Sequence, residues 1–246
     1  MKDVLLVNGS PRGEKATSLI FLKNFADLLD PEEFRTTTYS IGITNDRPTP
    51  EYILTALSKT DAVVFSFPLY AYTTPAAFTK FLEDYYFFRR EQAGGGYGSR
   101  ENAQPDRPAG KAPKVYAFVN CGYAVPGVNR ETLQVMRHFC SRTGMEWRFG
   151  AAIGGGLIVA MTRNIPIVNV KLRKVYKKVA ADIGGKGSTA AEAENSAEEG
   201  ISAAASKILP DIYIKPIIPK AVMNKMKDSK WAKKFMAKTQ TPGARQ

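Results

Sequence analysis

VLLVNGSPRGEKATS, residues 4–18, is an apolar run that breaks into a polar, glycine-containing loop just before a helical pattern begins. Val4, Leu5, Leu6 and Val7 have the continuous apolar character of a parallel strand covered on both faces. Asn8, Gly9, Ser10, Pro11, Arg12 and Gly13 suit neither strand nor helix. Thr17, Ser18, Leu19, Ile20, Leu22, Phe25 and Leu28 then open a helix with hydroxyls in its first turn, where unpaired N–H groups and the positive end of the helix dipole lie. A strand, loop and helix joined in this way form an anion site.

The loop contains no G-x-G-x-x-G and lacks the Gly-Lys-Ser/Thr ending of a P-loop. Hydroxyls at Ser10, Thr17 and Ser18 with one cation, Arg12, suit a single phosphate monoester held by a mostly neutral hydrogen-bond net. The opposing account is an ordinary strand-to-helix turn in which Thr17 or Ser18 caps the helix.

Working outward, residues 34–41 (FRTTTYSI) have the β-branched and aromatic content of an edge strand. Pro48 and Pro50 open a short helix over 51–59, and residues 61–67 (DAVVFSF) form a third strand apolar enough to be covered on both faces. Alternating strands and helices predict an α/β fold with a parallel sheet and right-handed crossovers. Pro75 suits the first turn of a helix through Phe78, Phe81, Leu82 and Tyr85. In a doubly wound sheet, loops at the carboxyl ends of the first and third strands flank the crevice where strand order reverses, so residues 68–75 should face the first loop. Tyr70 and Tyr72 are then placed to cover a flat ring, or else are packing or surface aromatics.

The 246 residues are enough for one large domain with appendages, and 44% hydrophobic and 11% aromatic content is that of a globular chain. Cys121 and Cys140 lack C-x-x-C spacing and read as buried free thiols, so no cysteine-based metal site is expected. No signal peptide is evident, and the apolar residues 151–161 are too few to span a bilayer as a helix, so a cytoplasmic, reducing setting is expected. Of the formal net charge of +12, residues 207–246 carry +8, ten Lys or Arg against Asp211 and Asp228. That placement argues against a nucleic-acid surface spread over the folded domain.

Asn8-Gly9-Ser10-Pro11-Arg12 after a first strand, followed by residues 68–84, PLYAYTTPAAFTKFLED, after a third, resembles the NADPH-dependent FMN reductase branch of the flavodoxin-like superfamily. The resemblance covers residues 1–183. It implies a flavodoxin-like, doubly wound five-stranded parallel sheet with helices on both faces, followed by a helical, basic extension over 184–246. It further implies that Ser10, Arg12, Thr17 and Ser18 hold the FMN phosphate and that Pro68, Leu69, Tyr70 and Ala71 lie along the isoalloxazine. Family members commonly carry Gly-Asn-Thr where this chain has Lys15-Ala16-Thr17, and Lys15 adopts positive φ less readily than glycine. The activity implied is that of an NAD(P)H oxidoreductase, passing electrons from NADPH or NADH through FMN to a small acceptor such as a flavin or quinone, with no protein acid or base needed. A homodimer is the expected assembly. Two other readings stay open: an electron carrier of the flavodoxin kind, or a peripheral membrane or partner-binding module on the same fold.

Residues 87–113, rich in glycine and proline, form a long loop without strand or helix signal, read as an insertion over 88–113 that is either a lid or a solvated excursion. Residues 114–120 (KVYAFVN) are the fourth strand. After it, Asn120 and the backbone N–H groups of Gly122 and Tyr123 either meet the pyrimidine edge of the flavin or make a plain turn. A helix over 131–143 ends at Gly144 and carries His138, the single histidine, read as a surface or core-edge residue. The fifth strand occupies 145–150, and the Gly-rich residues 151–158 either admit a substrate or second subunit or form a bend in the core. Residues 168–183 are the last helix of the fold. Residues 188–208 read as a weakly apolar helix, and 221–238 set Val222, Met226, Trp231, Phe235 and Met236 among lysines. That tail suits an anionic membrane surface or acidic partner, against the plainer account of a tail packed on its own domain or a dimer mate.

Overall fold

In the computed structural model, the described residues are 1–42, 48–92, 111–161, 166–186 and 209–215. Strand β1 (Lys2–Asn8) leads through the first loop into α1 (Thr17–Ala26). Then follow β2 (Phe34–Ser40), α2 (Glu51–Lys59), β3 (Ala62–Pro68) and α3 (Ala76–Gln92). Next come β4 (Lys114–Asn120), α4 (Arg130–Thr143), β5 (Glu146–Ile153), α5 (Gly156–Met161), α6 (Pro166–Ile183) and β6 (Ile212–Ile214).

All neighbouring strands pair in parallel in the order β2-β1-β3-β4-β5-β6. The first five stand in the flavodoxin-like order, and β2 is an edge strand as its half-polar sequence predicts. Alternate residues of the apolar strands face opposite sides of the sheet. Val7, Phe65 and Val119 pack on one side with α2, α3 and α4, while Val4, Leu6, Val64 and Phe118 pack on the other with α1, α5 and α6. This double coverage is why β1, β3 and β4 read as unbroken apolar runs.

Three expectations change. The sheet has a sixth strand, so part of the expected helical extension, 212–214, is an edge strand beside β5. Three residues are too short to display a strand period, and the segment is fixed instead by specific bonds: Leu209 N–H donates to the Arg148 carbonyl, and Gly154 N–H to that of Ile214. Helix α3 runs on to Gln92, taking in residues 87–92 of the expected loop, because Phe88 packs against the Phe81–Phe139 side of the core and Arg89 is buried. Strand β5 extends to Ile153, three residues beyond its sequence-based end, pairing Asn120 with Ile153. Residues 93–110 of the long loop, the expected helix at 188–208 and the tail at 221–238 lie outside the described residues. Both cysteines are free and buried, and His138 is exposed on α4.

Candidate functional site

The carboxyl ends of β1, β3 and β4 converge where strand order reverses, with β2 to one side of β1 and β3 to the other. Their loops enclose a cleft of about 150 Å³. The first loop and α1 contribute Ser10, Arg12, Thr17 and Ser18; the second loop, Pro68, Leu69 and Tyr70; the third, Asn120, Cys121 and Gly122; and α5 adds Leu157. Ala71 and Tyr123 are not among its walls. A larger recess of about 550 Å³ beside α3 touches none of these loops, and its rim residues Pro48 and Gln92 adjoin segments outside the described residues.

The first loop is held by its own polar groups. Asn8 Oδ1 accepts from Ser10 N–H at 3.2 Å, while Asn8 Nδ2 donates to the Gly13 carbonyl and the Ser40 hydroxyl, each at 3.1 Å. Ser10 Oγ accepts from Arg12 N–H at 3.3 Å. Gly9 is required by close packing, since a Cβ there would stand 2.7 Å from the Phe78 ring. The positive φ of the loop falls on Gly13, at 52°, while Lys15 lies in a 3-10 turn over Gly13–Lys15. Lys15 therefore needs no left-handed conformation.

Helix α1 begins at Thr17 with Ala16 as its N-cap, and no side chain caps it. The capping account of Thr17 and Ser18 is thus not what the structure shows. Among the described residues, the N–H groups of Thr17, Ser18 and Leu19 have no acceptor, and Arg12 makes no ion pair. Ser10, Thr17 and Ser18 border the same space as Arg12. Open donors, a helix dipole and one cation there suit an acceptor-only anion.

The second loop turns sharply. Tyr70 and Thr73 exchange backbone hydrogen bonds of 2.9 Å around Ala71 and Tyr72, whose φ angles are 47° and 64°. This is a two-residue turn of the I′ kind without the glycine or asparagine it ordinarily recruits, at a cost of about 1 kcal/mol or more per residue. Tyr72 is turned to the third loop, stacking on Tyr123 with ring centroids 6.0 Å apart and 17° between planes. The neighbouring Tyr72 phenol holds the Tyr123 phenol above its ordinary pKa. Tyr70 lines the cleft, and Leu69 N–H donates to the Asn120 carbonyl at 2.8 Å.

Asn120 borders the cleft where β4 passes into the third loop. Its amide NH₂ is committed to the protein, donating to Ser18 Oγ at 2.9 Å and to the Phe67 carbonyl at 3.1 Å. The N–H groups of Gly122 and Tyr123 donate to nothing among the described residues. The Gly-rich residues after β5 are strapped to the third loop: Gly155 N–H bonds the Tyr123 carbonyl at 2.7 Å and Gly156 N–H the Cys121 carbonyl at 2.8 Å. A Cβ on Gly154 would come 2.6 Å from the Ala124 carbonyl oxygen, so glycine permits this strap. Sequence reasoning passed over Asn8, Cys121, Leu157 and Gly156. Asn8 was signalled by a polar side chain closing a buried run; the others carry no local signal.

A parallel doubly wound sheet in this order, with three loops converging at its switch point, has the flavodoxin-like fold. No protein-family model and no curated protein sequence matches the chain. Among solved structures it is similar to an NADPH-quinone reductase from P. pentosaceus, with 17% identity over 73% of this chain and 98% of that one and a TM-score of 0.52. It is also similar to RosB with a bound intermediate, 8-demethyl-8-formylriboflavin-5'-phosphate, with 10% identity over 84% of this chain and 91% of that one and a TM-score of 0.55. At these identities the likeness is one of fold. Among the described residues, no helix is long and apolar enough to cross a membrane.

Proposed function

We propose that the chain is an FMN-dependent NAD(P)H oxidoreductase that passes electrons to a small acceptor, a flavin, quinone or similar molecule. The observation that carries this reading is the convergence of three loops at the switch point, with unclaimed donors at each end of one cleft. The residues present fit FMN: the open N–H groups of α1 with Ser10, Thr17, Ser18 and Arg12 meet the phosphate, and Pro68, Leu69 and Tyr70 border the ring. Gly122 N–H, which borders the cleft, supplies a neutral donor for the pyrimidine edge, where negative charge gathers on reduction. When bound, FMN supplies the hydride-accepting chemistry, and the protein supplies position and electrostatics. Arg12 is the charged side chain of the lining among the described residues, so the reading assigns no proton transfer to a side chain there. That the similar RosB fold carries a riboflavin phosphate supports FMN, and the quinone reductase supports a quinone as acceptor.

Purified protein, stripped of any bound flavin and titrated with FMN, is expected to take it up with a shifted visible spectrum. A folded protein that neither carries nor takes up FMN contradicts the proposal.

A further inference from the structure

Asn120 closes β4 at the base of the cleft and is 5% exposed. Its Nδ2 is shared between the Phe67 carbonyl and the Ser18 hydroxyl, and a carbonyl oxygen only accepts. The bond to Phe67 therefore fixes which end of the amide faces inward, and the second N–H must be received by Ser18 Oγ. The Ser18 hydroxyl hydrogen is left as a donor, and no acceptor meets it among the described residues. Ser18 is 1% exposed, lines the cleft, and is the second residue of α1. A buried donor without a partner costs free energy that an acceptor in the cleft would recover. Gly156 keeps the amide in place, since a Cβ there would stand 2.8 Å from Asn120 Cβ and 3.0 Å from its Oδ1.

We infer that Asn120 is a positioning residue that sets the Ser18 hydroxyl as a one-way donor and so biases the cleft toward a fully ionised phosphate monoester, which offers only acceptor oxygens. The inference rests on the FMN reading for the ligand's identity; the donor polarity requires only a phosphate. A free ribityl alcohol can donate as readily as it accepts and gains less from this arrangement. Asn120→Asp reverses the polarity, because the carboxylate accepts the Ser18 hydrogen and sets a like charge beside the phosphate.

The test compares flavin-free wild type with Asn120→Asp, Asn120→Ala, Ser18→Ala and the Ser18→Ala/Asn120→Ala double variant. Each is titrated with FMN and with riboflavin, and each is melted with and without inorganic phosphate. Asn120→Asp is expected to weaken FMN by about 100-fold and Asn120→Ala by about 10-fold, the range of a hydrogen bond to a charged group. Riboflavin should change by no more than about 2-fold, and adding Asn120→Ala to Ser18→Ala should weaken FMN no further than that. Phosphate should raise the Tm of wild type but not of Asn120→Asp. Equal losses for FMN and riboflavin overturn the inference, as does an undiminished effect of Asn120→Ala in the Ser18→Ala background. Phosphate stabilising Asn120→Asp as it does wild type, or stabilising neither, overturns it too. Wild type that responds to phosphate but binds neither flavin overturns the FMN reading alone, and the phosphate melts then decide the role of Asn120. Should Asn120→Asp not fold, the cycle with Asn120→Ala decides.

Discussion

The open donors at the start of α1 belong to Thr17, Ser18 and Leu19, and Thr17 adds a hydroxyl with no protein partner among the described residues. On the proposed reading, Thr17→Ala removes one hydrogen bond to a charged group and weakens FMN by about 1.5–3 kcal/mol. Riboflavin, which lacks the phosphate, should be nearly unaffected; equal losses in paired titrations would contradict the assignment. A second substitution, Gly156→Ala, drives a methyl into Asn120 and should cost about 1–3 kcal/mol of stability by overpacking, read from urea unfolding, together with a loss of FMN affinity. The residues that line this cleft from the first and second loops were legible in the sequence because both loops follow buried strands, whose carboxyl ends meet where strand order reverses. The role of Asn120 was not, because its partners Ser18 and Phe67 come from other elements and meet it only through the strand order.

At the scale of elements, the turn after β3 is the strained part of the cleft, with Ala71 and Tyr72 both at positive φ. Ala71→Gly relieves the backbone at one of them while leaving the Tyr72–Tyr123 stack in place, and the extra chain entropy of glycine offsets part of the gain. The expected outcome is a protein more stable by about 0.5–1 kcal/mol, measured as a raised urea midpoint at unchanged slope. The elements with long periodic patterns were readable in advance: β1 and β3 from apolar runs, α3 from Pro75 and its aromatic spacing, α4 from its apolar face and Gly144, which ends it at a φ of 75°. Helix α5 and strand β6 were not. Six and three residues hold too little periodicity, and both are placed by bonds to distant chain, Gly155 and Gly156 to the third loop and Asp211 Oδ1 to Gly150 N–H at 2.7 Å.

Across the whole molecule, the sheet is tied at the end opposite the cleft by a buried polar cluster. Asp182 on α6 receives Arg148 Nε and Nη2 at 2.7 and 2.9 Å and the Tyr116 hydroxyl at 2.7 Å, with Lys114 beside it. Burial alone would push the Asp182 carboxyl up, but the hydrogen bonds from Arg148 and Tyr116 and the charges of Arg148 and Lys114 hold it below its ordinary value. A depressed folded pKa means a contribution present above the unfolded value of about 3.9 and lost as pH falls through the folded one. Asp182→Asn should therefore cost about 3 kcal/mol near neutrality by leaving the buried Arg148 with Glu146 as its remaining carboxylate partner. The gap to wild type should close below about pH 4, as followed by urea unfolding across pH. Overall architecture was the most legible scale of all, since alternation of strand and helix anticipated the parallel sheet, and the resemblance carried by the first and second loops together anticipated its doubly wound order. Whether this crevice makes the protein an oxidoreductase is decided by anaerobic stopped-flow mixing of the FMN-loaded protein with NADPH and, separately, NADH. An oxidoreductase should show rapid bleaching of the flavin absorbance by one of them without any other protein; a flavin that stays oxidised with both, and bleaches only when a separate reductase is added, is that of an electron carrier instead.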